Sequence, residues 1–127
     1  MAGELILVVE DNEKNMKLFR DVLQATGYRT LEATSGEQAL ELAAEHVPDL
    51  VLMDIQLPGI DGMTALGRLR GDERTASITV IALTAQAMQG DRERFLEAGF
   101  DGYVSKPVNV MEFIGTVKRY CEGDGDE

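Results

Sequence analysis

Asp54 closes the apolar run Leu50-Val51-Leu52-Met53 and is followed by Ile55-Gln56-Leu57 and the turn pair Pro58-Gly59. A short continuous apolar run bounded by turn residues reads as a strand buried on both faces. A carboxylate leaving such a strand lies where open α/β sheets bind their ligands, outside the carboxyl ends of the strands. A second run, Leu5-Ile6-Leu7-Val8-Val9, ends in Glu10-Asp11. If the two strands are neighbours, Glu10, Asp11 and Asp54 flank one crevice. Three carboxylates there raise one another's pKa unless a cation joins them. Hard oxygen ligands suit Mg²⁺, which is commonly held by one or two carboxylates together with a phosphate. Taken singly, Glu10 and Asp11 serve equally well as acids at a helix start, where the helix dipole favours them. The third acid, on a separate strand end, tilts the reading towards a metal.

Two further strand ends supply what a phosphoryl group needs. Thr84 follows the β-branched run 78–83 and offers a hydroxyl, while small Ala85 leaves the backbone open to approach. Lys106 follows the short run Asp101–Ser105 and can offset the charge on a transferred phosphoryl oxygen. A threonine at a strand end or a lysine before a proline is ordinary structure when it stands alone. Together these residues put donor, cation and acceptor on one rim.

Those residues must be positioned by alternating strands and helices, and the pattern supplies them. Strands are predicted over Leu5–Val9, Tyr28–Ala33, Leu50–Met53, Ile78–Leu83 and Asp101–Ser105, the second of them nearer a sheet edge. Between them, Met16, Phe19, Val22 and Leu23 recur at helical spacing before Gly27 at the C-cap position. Ser35 with Gln38 forms a possible capping box for a helix that Pro48 ends. Helices are also predicted over Gly62–Arg70 and Asp91–Ala98, the latter stopped by Gly99. The last runs from near Asn109 to Cys121 and carries Val110, Phe113, Ile114, Val117 and Tyr120. Five alternations call for a doubly wound parallel sheet with helices on both faces. Residues 1–121 are expected to form one domain, and the polar, acidic stretch 122–127 a disordered tail.

Composition narrows the function. The chain has 127 residues with 44% hydrophobic and 28% charged, enough for one domain with its own core. Its net charge of −11 argues against direct nucleic-acid binding, which needs a basic footprint. A single cysteine, Cys121, allows no internal disulfide, so a reducing compartment, the cytoplasm, is the expectation. No apolar run approaches the roughly 20 residues of a membrane span, and the first residues lack the features of a signal peptide.

With these residues in hand, the chain resembles the receiver domains of bacterial two-component response regulators from Leu5 to about Cys121. The resemblance rests on Glu10-Asp11, on Asp54 with Pro58 and Gly62, on Thr84-Ala85 and on Lys106-Pro107. Within that family, the run from Val9 to Phe19 and the segment 84–91 look most like DivK-type single-domain regulators. The resemblance implies a flavodoxin-like sheet of order 2-1-3-4-5 with five helices. It implies that Asp54 takes a phosphoryl group from a histidine kinase or a histidine phosphotransfer protein. Asp11, Asp54 and the backbone carbonyl of Gln56 would ligate Mg²⁺, with Glu10 reaching it through water. Lys106 and Thr84 would contact the phosphoryl oxygens, the Lys106–Pro107 peptide bond would be cis, and Tyr103 would be the aromatic switch. Phosphorylation would draw Thr84 inward, let Tyr103 turn in, and change the surface of residues 91–98, 102–105 and 109–121. The protein would be no enzyme in the usual sense, catalysing only its own Mg²⁺-dependent phosphoryl transfer and dephosphorylation. It would act by binding proteins, as a monomer or a weak phosphorylation-dependent dimer, or as a relay intermediate that passes the phosphate onward.

Two other classes compete with this reading, the second of them on the same topology. A Mg²⁺-dependent phosphohydrolase with an aspartate nucleophile wants a second acid two residues on, where this chain has Gln56. An FMN carrier needs a first loop that cradles phosphate, and Glu10-Asp11 put negative charge there. Among the remaining residues, His46 is read as the favourably charged last turn of a helix rather than a phospho-donor. Met16, Met63 and Met111 are expected in the core, whereas Met88, beside Gln86 and Gln89, is open to either a core or a partner face.

Overall fold

The apolar runs pair side by side because each can hide both of its faces only between helices. The computed structural model describes residues 3–85, 91–106 and 108–122. Along the chain it forms β1 (Leu5–Val9), α1 (Glu13–Ala25), β2 (Arg29–Ala33), α2 (Gly36–His46) and β3 (Leu50–Asp54). There follow α3 (Gly62–Arg70), β4 (Thr79–Thr84), α4 (Asp91–Ala98), β5 (Gly102–Ser105) and α5 (Val110–Glu122). All strand pairs are parallel and the order is β2-β1-β3-β4-β5, so the expected doubly wound sheet is present and β2 is an edge strand.

The two-residue period of a strand divides the core in two. Leu7, Val9, Val51, Met53, Val80 and Ala82 face α2, α3 and α4. Ile6, Val8, Leu50, Leu52, Ile81 and Leu83 face α1 and α5, where the rings of Phe19 and Phe113 stack at 5.2 Å. The helices start where side-chain oxygens accept their free amides: Asn12 from Asn15, Ser35 from Gln38, and Asp61 from Thr64. Gln38 in turn accepts the amide of Thr34, one residue upstream of the usual partner in a capping box.

Several boundaries differ from the sequence reading for local reasons. Asp54 and Thr84 are the last residues of their strands rather than the first beyond them. Asp101 lies outside β5 because its carboxylate takes the amide of Val80, a bond the ladder would otherwise supply. Glu122 closes α5 instead of opening a tail, and residues 123–127 lie outside the described residues. Met16 is buried and Met63 half-buried, but Met111 is 76% exposed. The buried stripe of α5 runs through Phe113 and Val117, and Met111, two residues before Phe113, falls on the opposite face. Among the described residues no helix is long and apolar enough to cross a membrane.

Candidate functional site

Register brings the acids together. Val9 pairs with Met53 across β1 and β3, so Glu10 leaves the sheet beside Asp54. Glu10 is kept at that edge by its amide, which donates to the carbonyl of Ala33 at 3.0 Å. Glu10 and Asp54 are 1% and 5% exposed, whereas Asp11 faces solvent. One carboxylate oxygen from each of Glu10, Asp11 and Asp54 lies within 4.8 Å of the others, a donor set suited to a hard divalent cation.

Lys106 enters the same cluster from β5. Its backbone amide donates to the carbonyl of Thr84 at 2.7 Å, which fixes where the side chain starts. Its Nζ then donates to Asp54 Oδ2 at 2.8 Å and Glu10 Oε1 at 2.9 Å. The other oxygens are also used, Asp54 Oδ1 accepting from the amide of Gln56 at 2.9 Å and Glu10 Oε2 from that of Asn12 at 3.2 Å. Burial pushes the Glu10 carboxyl above its ordinary value; Lys106 pulls it back, but the charge of Asp54 adds to the rise. For Lys106, burial acts to lower the amine, and its bonds to Asp54 and Glu10 together outweigh that and hold it raised.

Each site residue predicted from sequence can now be located. Glu10, Asp54 and Lys106 are in direct contact, Asp11 completes the acid cluster, and Thr84 is buried at the end of the adjoining strand. Gln56 touches Asp54 through its backbone amide while its side chain is exposed. Tyr103 belongs to another neighbourhood: it is half-buried, with its ring 6.4 Å from that of Phe95 on α4. Pro107, with its expected cis bond, and Met88, Gln86 and Gln89 lie outside the described residues. The direct Glu10–Lys106 ion pair escaped the sequence reading, which assigned the acid to a metal and the amine to a phosphate. Opposite charges at two strand ends of one sheet edge were the available signal.

A central-strand aspartate, a pair of acids just beyond the neighbouring strand, and a threonine and lysine at the next two strand ends define a receiver. The chain belongs to the response regulator receiver domain family, whose family model matches residues 6–118. It is similar to the polar-differentiation response regulator DivK of Brucella ovis, with 53% identity over 115 residues that cover 91% of this chain and 94% of that protein. In structure it resembles the receiver domain of the sensor histidine kinase PA1611 from Pseudomonas aeruginosa, which has a magnesium ion in its active-site cleft. The TM-score is 0.88 at 38% identity, covering 96% of this chain and all of that one. It also resembles the receiver domain of the Saccharomyces cerevisiae response regulator Ssk1, solved with the histidine phosphotransfer protein Ypd1. That match has a TM-score of 0.85 at 26% identity and covers 94% of this chain and 90% of that one.

Proposed function

We propose that this response regulator is switched by phosphorylation of Asp54, and that the observation carrying the reading is Lys106 Nζ shared between Asp54 and Glu10 in one cluster with Asp11. Asp54 Oδ attacks the phosphorus of a phosphohistidine, the P–N bond breaks, and the imidazole leaves with a proton. Lys106 is then freed from one carboxylate oxygen to pair with a phosphoryl oxygen, and the Thr84 hydroxyl donates to another. Water attack on phosphorus later returns Asp54 and inorganic phosphate, which makes the protein the catalyst of its own dephosphorylation. Asp11, Asp54 and the carbonyl of Gln56 are the residues that would hold Mg²⁺, with Glu10 at one remove. Bound there, Mg²⁺ would offset charge on the phosphoryl oxygens.

The phospho-donor is a histidine kinase or histidine phosphotransfer protein, as for the Ssk1 receiver captured with Ypd1. A concavity of about 420 Å³ beside Lys106, lined by Asn15, Leu18, Ala85 and Val108, supports docking on this side. The phosphorylated state is read out through Tyr103 and the α4–β5–α5 face. The chain acts by protein binding or by passing the phosphate onward, and needs neither nucleic acid nor membrane.

Intact-mass spectrometry after incubation with acetyl phosphate tests the chemistry. One added phosphoryl group that is lost in Asp54→Asn and in a chelator is the expected result. An adduct that persists in Asp54→Asn overturns the assignment of the acceptor.

A further inference from the structure

Ligands on a loop are only as well placed as the loop. The segment 55–61 leaves the sheet directly after Asp54 and is tied to the site at its near end. Its Ile55 amide donates to Leu83 at 3.0 Å, its Gln56 amide to Asp54 Oδ1 at 2.9 Å, and the Gly62 amide returns to Ile55 at 3.0 Å. The far end rests on the first turn of α2, where two successive loop residues meet two successive helix residues. Gly59, at φ +74°, is so close to Glu37 that a Cβ on it would lie 2.9 Å from Oε2. Ile60 covers Gly36: a Cβ on Gly36 would come within 2.6 Å of Ile60 Cγ1, 3.0 Å of Cδ1 and 3.1 Å of its carbonyl oxygen. Gly36 is buried, and half-buried Ile60 packs on the core that contains Ala39 and Ala43.

The start of α2 is a firm support. Ser35 and Gln38 cap it, as described above, and the strand residue before it, Ala33, holds the amide of Glu10 at 3.0 Å. The β2–α2 junction therefore touches the acidic cluster from two sides, through Ala33 to Glu10 and through Gly36 to the loop after Asp54. Mg²⁺ demands near-octahedral ligands at about 2.0–2.1 Å, so a loop lifted by a fraction of an ångström loses affinity for it. Supporting contacts of metal ligands are commonly worth about 10–100-fold in affinity.

We propose that the close contact of Gly36 with Ile60 positions the loop after Asp54 and thereby sets the affinity of the acidic site for its divalent cation. The inference rests on the reading that Asp54 and the Gln56 carbonyl are ligands. Gly36 and Ile60 are positioning residues that touch neither metal nor phosphate.

Mg²⁺ titration followed by amide NMR shifts tests this on the full chain, with wild type, Gly36→Ala, Ile60→Ala and the double variant. Gly36→Ala is expected to weaken Mg²⁺ binding about tenfold, while unfolding without Mg²⁺ stays cooperative and the acetyl phosphate adduct returns at saturating Mg²⁺. Ile60→Ala removes the support without creating overlap and weakens binding less, by under about tenfold. The double variant is expected to bind as Ile60→Ala does, because the overlaps with Cγ1 at 2.6 Å and Cδ1 at 3.0 Å are gone and the carbonyl oxygen at 3.1 Å is the least severe of the three contacts. Wild-type affinity in Gly36→Ala overturns the inference and leaves the proposed function standing, as does a double variant no better than Gly36→Ala. If Gly36→Ala does not fold, Ile60→Ala decides alone, with wild-type affinity as the overturning result. A wild-type chain that shows no shifts with Mg²⁺ overturns both the inference and the metal reading beneath it.

Discussion

At the amino-terminal edge of the sheet, Asp49 and Asp101 each stand one residue before a strand and accept an amide from the strand beside it. Leu5 donates to Asp49 and Val80 to Asp101, both at 2.8 Å. Arg70 closes that edge: its guanidinium donates to the carbonyls of Ala76, Ile78 and Gly99 and to the Asp101 carboxylate at 3.0 Å. At the carboxyl-terminal edge, Glu10 and Asp54 share one amine, that of Lys106, and exposed Asp11 adds a third carboxylate beside them. Both edges use carboxylates and a long cation. At one the Arg70–Asp101 pair is balanced and its donors find carbonyls. At the other, negative charge exceeds positive, and two of the acids are buried. The first arrangement stabilises the fold, whereas the second carries an electrostatic cost that an added cation, or the loss of one negative charge, would relieve.

The largest effect expected from this contrast is at the satisfied edge. Arg70→Ala leaves the carbonyls of Ala76, Ile78 and Gly99 without their donor and Asp101 without its cation, at a cost of about 3 kcal/mol. Denaturant unfolding measures that loss, and Mg²⁺ affinity measured on the same samples under native conditions is expected to stay unchanged. An Arg70→Ala protein that keeps its stability but loses Mg²⁺ binding would break the division of labour between the edges.

Next comes Lys106→Met, expected to cost about 2 kcal/mol in the absence of divalent cation, because Glu10 and Asp54 then face each other with no positive charge between them. Lys106 is raised by its partners, so its contribution is present below its ordinary pKa and is lost as pH climbs through the raised value. The wild-type advantage over Lys106→Met should therefore shrink in alkali. Mg²⁺ should restore part of the variant's stability, which thermal unfolding with and without the ion would measure.

Much of this was legible in the sequence, for identifiable reasons. Leu5–Val9 and Gly62–Arg70 have the predicted bounds because apolar periodicity and turn residues agree there. The acids of the site were legible because each closes an apolar run and parallel pairing brings run ends together. What stayed hidden depends on distance rather than order. Arg70 and Asp101 are 31 positions apart, and no local pattern marks them as partners. The contact of Gly36 with Ile60 is invisible for the same reason, since a glycine one residue after Ser35 reads simply as part of a helix start. Met111 misled because an apolar residue at the start of a helix was assigned to the stripe without regard to its angle.

A smaller effect of opposite sign is expected for Glu10→Gln. Burial raises the Glu10 pKa, so ionising it costs the folded state, and apo stability falls as pH rises from the ordinary carboxylate value through the raised one. A glutamine removes the buried charge and keeps an oxygen to accept from Lys106, while its amide nitrogen replaces the oxygen that accepts from Asn12, a loss of one hydrogen bond that the relieved charge outweighs. Stability without metal should rise by about 1 kcal/mol above that pH window, and Mg²⁺ binding should weaken. Unfolding curves across the acid range and an Mg²⁺ titration measure the two halves of this expectation.

The smallest effect sharpens the comparison most. Val47, at the C-cap of α2 and two residues before Asp49, has φ 45° and ψ 67° and is 53% exposed. Among the described residues it is the one non-glycine with positive φ. Pro48 disfavours right-handed helical geometry at the residue before it, and the helix ends there in a left-handed turn that a β-branched side chain fits poorly. Asparagine tolerates that conformation, so Val47→Asn should gain just under about 1 kcal/mol. Glu10→Gln and Val47→Asn would then be two stabilising changes of similar size, one at each edge of the sheet. The first should weaken Mg²⁺ binding, because it removes charge surplus from the acidic cluster. The second should leave both Mg²⁺ affinity and the acetyl phosphate adduct untouched, since the strain at Val47 serves neither. If Val47→Asn also weakens Mg²⁺ binding, α2 carries strain from its last turn to its first, and the two edges are coupled through that helix rather than independent.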